Sequence, residues 1–143
     1  MAFFAAGIVG GVLLTDARRY LKSPWLGGGV ILSLLVFLPN MLWQIKHDFI
    51  SLDFLQGIHA RDVREGRAEG YLIEQFVFCA NIIAIPLWGA GLYYYFFRQE
   101  GKRYRLLGWM YAIPFVIYLI AQGRSYYQAP AYPMLIAAGA VAW

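Results

Sequence analysis

The chain is 143 residues long, enough for about one domain, and 61% of it is hydrophobic against 14% charged, with a mean hydropathy of +0.53. Those proportions exclude an ordinary soluble domain and predict a membrane protein. The formal net charge of +4 does not point to nucleic acid, because the basic residues sit in short clusters beside apolar runs and no basic stripe or nucleic-acid motif accompanies them. The single cysteine, Cys79, excludes an internal disulfide.

Taken in order, the first run is residues 2–14, "AFFAAGIVGGVLL". It is apolar throughout but shorter than the roughly 20 residues a bilayer crossing needs, and it lacks the basic flank and cleavage site of a signal peptide. Residues 25–45 and 71–97 are long enough to cross, 106–121 is slightly short, and 129–143 is again a short apolar run. The expected fold class is all-α, a polytopic transmembrane helix bundle of about five helical segments forming one region. We expect the first and last to be truncated, as in a piece of a longer membrane enzyme; short tilted or re-entrant helices are the alternative. Pro39, Pro86, Pro114 and the "GGG" at 27–29 fall inside these spans, where neighbouring helices tolerate them as kinks.

The connections set the orientation. "TDARRYLKS" carries Arg18, Arg19 and Lys22, and "RQEGKRYR" carries Arg98, Lys102, Arg103 and Arg105. The connection 46–70 spreads Lys46, Arg61, Arg64 and Arg67 among five acids, and 122–128 has only Arg124. Dense basic residues in short loops mark the cytoplasmic side, so 46–70 and 122–128 are expected outside. Within the first of these, "FISLDFLQGI" places Phe49, Leu52, Leu55 and Ile58 three apart, the pattern of a helix lying in the headgroup plane over residues 49–58. Beyond Gly57, "HARDVREGRAEG" is charged and glycine-punctuated and reads as mobile or solvent-facing.

No P-loop, GxGxxG, HExxH or nucleophile elbow is present. His59, with Asp62 or Glu65, could supply part of a metal site, although a loop histidine is more often solvated. Asp48, Asp53, Asp62, Glu65 and Glu69 are all available for acid–base work, and spacing singles out none of them. Arg124 stands out more. It is the one charge in "GRSYYQAPAYP", and a guanidinium among tyrosines and a glutamine suits bidentate phosphate binding. A snorkelling arginine in an interfacial tyrosine belt has the same pattern.

The ending "GRSYYQAPAYPMLIAAGAVAW" resembles the stretch G-K-x-Y-Y-x-x-P-x-Y-P, followed by a small-residue helix, of bacterial membrane glycosyltransferases related to the protein O-mannosyltransferases (glycosyltransferase family 39). "FLPNMLWQIKHDFISLDFLQGIHARD" and "IPLWGAGLYYYF" resemble the preceding segments of that family, so the likeness runs over nearly the whole chain. It implies a GT-C architecture in the bacterial inner membrane, multi-pass, moving a sugar from a polyprenyl-phosphate donor to an extracytoplasmic acceptor: a protein, lipid A or an envelope glycan. By that resemblance Arg124, where the family usually has lysine, binds the donor phosphate, and Tyr126 and Tyr127 line the substrate. His59, by analogy with the lipid A aminoarabinose transferases, belongs to a loop closing over the lipid donor, and Ser125 stands where an aspartate is common. The catalytic carboxylate is expected upstream, leaving the catalytic residue of this chain unknown. No cofactor follows with certainty, and a divalent metal stays open. The other partners implied are membrane lipids. Competing expectations are a transporter or lipid flippase fragment, which calls for ionisable residues near mid-membrane, and a non-catalytic membrane assembly protein.

Overall fold

A computed structural model describes residues 2–66, 70–79 and 81–143. Arg67 and Glu69, two of the charges counted in the long connection, lie outside them. The described residues contain helices and no strand, so the chain is all-α. Its α-helices are α1 (Ala2–Leu14), α2 (Pro24–Lys46), α3 (Ile50–Arg64), α4 (Tyr71–Glu74), α5 (Ile85–Phe97), α6 (Arg105–Ile120) and α7 (Tyr132–Ala142). That is more than the five segments expected, for two reasons.

First, the helix of the long connection does not stop at Gly57. It continues as α3 to Arg64, so the first half of the stretch read as mobile or solvent-facing, residues 59–64, is helix. One glycine costs a helix only about 1 kcal/mol, and the stripe Leu52, Leu55, Ile58 extends one more turn to Asp62, which is buried. Second, the apolar run 71–97 is not one continuous helix. α4 passes into a π-helical turn, Gln75–Cys79, and a 3-10 turn, Ile82–Ala84, leads into α5. Asn81 adopts a left-handed φ of 58°, and its side-chain oxygen accepts from the Ile83 N–H at 3.2 Å, which starts the new helix with a cap. The helical pieces on either side differ in direction by 81°. Pro86 therefore sits in the first turn of α5, where its missing N–H costs nothing, whereas Pro39 and Pro114 lie inside α2 and α6.

Glycines set the packing. Gly7 and Gly11 of α1 meet Met110, Pro114, Leu106 and Trp109 of α6, so these two helices run antiparallel. α5 and α7 run parallel: Arg98, just past the end of α5, donates to the Ala142 carbonyl near the end of α7 at 3.4 Å. A Cβ on Gly91 would strike the Leu135 carbonyl, and one on Gly139 would strike that of Leu87, so the two backbones touch through their glycines, as small residues allow. Leu135, fully buried, anchors a core with Tyr94, Tyr95, Tyr111 and Tyr132.

These directions put the ends of the bundle in register. The basic segments Asp16–Lys22 and Glu100–Tyr104 follow α1 and precede α6 at one end. The Arg124 segment lies at the other, where Phe3 packs edge-on against Tyr118 at 4.9 Å. α2 has no buried residue: Trp25, Val36 and Leu42 are all exposed. Among the described residues α2 alone is long and apolar enough to cross a membrane, and the bent pair Tyr71–Val77 with Ile82–Phe97 passes the same test together.

Candidate functional site

The turn after α6 builds the site. Gln122 takes a left-handed φ of 50°, and the Gly123 N–H returns to the Tyr118 carbonyl at 2.8 Å, the closing bond of a Schellman motif. A Cβ on Gly123 would sit 2.5 Å from Tyr118 Cδ1, so glycine is needed where the chain doubles back against that ring. Arg124 then leads into the 3-10 segment Ser125–Ala131.

That segment is fastened by polar side chains. Ser125 Oγ donates to Glu74 Oε2 at 2.7 Å, and Gln75 Nε2 donates to the Ser125 carbonyl at 2.6 Å. Tyr132 donates its hydroxyl to Gln75 Oε1, and Gln128 Nε2 donates to the Tyr111 carbonyl at 2.9 Å. Gln75 and Gln128 are buried. Hydrogen bonds made inside a protein offset the cost of burying such amides, so Arg124 projects from a fixed base.

Opposite it stands α3. The turn from α2 uses two consecutive left-handed residues, Asp48 and Phe49, and Gln44 Nε2 donates to Ser51 Oγ across it at 2.6 Å. α3 carries Asp62 to Arg124. Nε and Nη2 of the guanidinium donate to Oδ2 and Oδ1 at 2.6 and 2.9 Å, a bidentate fork. Nη1 donates to the Tyr126 hydroxyl at 3.2 Å. The Asp62 side chain is 6% exposed and that of Arg124 30%. A guanidinium has five N–H groups; Asp62 takes two and Tyr126 one, leaving two.

Between α3 and the α6 turn is a cleft of about 570 Å³. Leu52, Leu55, Ile58 and Phe3 form its apolar side, and His59, Asp62, Arg124 and Tyr127 its polar side. Three of the four residues singled out in the sequence, His59, Arg124 and Tyr127, thus face one cavity. The fourth, Tyr126, is half exposed and reaches Arg124 from outside it. His47 is not part of it: that ring stacks on Trp43 at the end of α2, centroids 4.2 Å apart. No group of three or more His, Cys, Asp or Glu side chains that could hold a metal ion occurs among the described residues. Sequence reasoning named Asp62 only as one of five acids and as a possible metal ligand beside His59, and did not single it out, although it extends the Leu52–Leu55–Ile58 stripe.

The electrostatics follow from these contacts. Hydrogen bonds donated to Asp62 and to Tyr126 hold Arg124 charged beyond the ordinary arginine value. The Tyr126 hydroxyl is pushed below the usual tyrosine value, first by Tyr127 and then by Arg124, while Tyr127 is pushed up by Tyr126 and by burial. Substituting Arg124→Ala is expected to move the Tyr126 ionisation to higher pH. The ultraviolet difference between each protein and its Tyr126→Phe counterpart reads this, and an unmoved midpoint contradicts the contact.

No protein-family model matches this chain, and no curated protein or solved structure matches it.

Proposed function

We propose that the chain is part of a polytopic membrane glycosyltransferase that takes a sugar from a polyprenyl-phosphate donor and passes it to an extracytoplasmic acceptor, with the donor lying in the cleft between α3 and the α6 turn. One observation carries this: a cavity with an apolar wall on one side and Arg124, His59 and Tyr127 on the other. Such a cavity matches an amphiphile with an isoprenoid tail and a phosphate-linked sugar. The two free N–H groups of Arg124 hold the phosphate. As the acceptor hydroxyl's oxygen bonds to the sugar's anomeric carbon and its proton passes to water, the carbon–oxygen bond to the phosphate breaks and its electron pair stays on the phosphate. A fixed guanidinium stabilises that added charge more than it stabilises the ground state. Tyr127 offers a ring face and a hydroxyl to the sugar, and His59 closes the cavity from α3. Asp62 is committed to the guanidinium, so no residue of the chain is assigned as catalytic base.

Membrane placement is part of the proposal. The ends of the bundle differ as a positive-inside protein requires: Arg18, Arg19, Lys22, Lys102 and Arg103 lie at one end and the cleft at the other. The test uses protein translated from the whole reading frame, in liposomes, given a radiolabelled polyprenyl-phosphate hexose or pentose and an envelope extract. Label moving to an acceptor, and lost with Arg124→Ala, is expected. Label that stays on the carrier for every acceptor fraction opposes it.

A further inference from the structure

Arg124 and Asp62 line the same cleft, and their charges cancel. Asp62 occupies one edge of the guanidinium through Nε and Nη2 and remains part of the cavity wall. A phosphate taking the two remaining N–H groups must therefore sit a few ångströms from a carboxylate. Attraction to Arg124 grows with the phosphate's charge, and so does repulsion from Asp62. Both act at less than a Debye length, where salt screens them little. A singly charged phosphodiester gains the hydrogen bonds at small net Coulomb cost. A doubly charged monoester brings a second charge that gains nothing net and is harder to strip of water. His59, Tyr118, Gln122 and Tyr127, the other polar side chains lining the cavity, are common to both cases.

Resting on the glycosyltransferase assignment, we propose that Asp62 is a specificity-determining residue: it makes the cleft prefer a singly charged lipid phosphodiester, the chemical class of the sugar donor, over the doubly charged lipid monophosphate left when the sugar has gone. Asp62 thereby favours exchange of spent carrier for fresh donor. It acts by balancing the charge of Arg124.

Two probes without any sugar isolate the charge: undecaprenyl phosphate and its methyl ester, at a pH well above the second phosphate ionisation near about 6. Their affinities are measured for the full chain in lipid nanodiscs. The native protein is expected to bind the methyl ester about tenfold more tightly. Asp62→Asn is expected to abolish or reverse that order by strengthening undecaprenyl phosphate most, and Asp62→Glu to preserve it. Tighter binding of undecaprenyl phosphate by the native protein, which needs no variant to fold, overturns the proposal. So does an unchanged order in Asp62→Asn with native helix content. If the native protein binds neither probe better than Arg124→Ala does, the donor assignment itself falls, and this inference with it. Should both bind in an Arg124-dependent way without discrimination, only the role of Asp62 is lost.

Discussion

Arg124→Ala is expected to weaken binding of a polyprenyl-phosphate donor by about ten- to a hundredfold, the loss of charge-assisted hydrogen bonds to a phosphate. Arg124 lines the cavity, and its base is pinned through Ser125, Gln75 and Gln128. Arg124→Lys keeps the charge and loses the fork that grips Asp62, so its loss is expected to be smaller. Asp62 is nearly buried and loses its bond to Arg124 in the alanine variant, so that variant is also paired with Asp62→Asn, which removes the carboxylate charge. Titration of labelled donor into nanodiscs reads all of these. An affinity within twofold of native in the paired variant would reduce Arg124 to a structural tie.

Gly91→Leu is expected to have the largest effect on the fold. A Cβ at that position has no room, because the obstacle is the backbone of Leu135 and not a movable side chain. Overpacking a tight interior typically costs about 1–3 kcal/mol, and a backbone collision belongs at the top of that range. The same is expected of Gly139→Leu, which meets the Leu87 backbone. By contrast Gly28→Leu faces open space and replaces a poor helix former within α2, so it is expected not to destabilise. Thermal unfolding in detergent, followed by helical circular dichroism, separates them. Equal midpoints for Gly91→Leu and Gly28→Leu would mean that α5 and α7 do not pack through their glycines.

The helical class was legible from apolar content and run length, and the helices near 2–14, 25–45 and 106–121 lie where those runs lie. The break inside 71–97 was not, since a hydropathy average hides one polar residue. Asn81 was nevertheless a signal, as the side chain best able to cap a new helix and accept a left-handed turn within an apolar run. Arg124 and its tyrosines were visible because they are chemically conspicuous in a short connection. Asp62 was not: Asp48, Asp53, Asp62, Glu65 and Glu69 look alike along the chain, and only the approach of α3 to the α6 turn selects one of them. Following the period of the Leu52, Leu55, Ile58 stripe past Gly57 would have placed an acid on a face that is otherwise apolar. A lone acid on such a face needs a partner, and Arg124 supplies it.

The most direct measurement is photolabelling of the full chain in nanodiscs with a polyprenyl phosphate carrying a diazirine in the isoprene unit next to the phosphate, followed by peptide mapping. The account predicts adducts on Leu52–Ile58 and Tyr118–Tyr127, competed away by unlabelled donor and lost with Arg124→Ala. Adducts confined to α2, or to the aromatic groove formed by Trp88, Phe96 and Phe115, would contradict it.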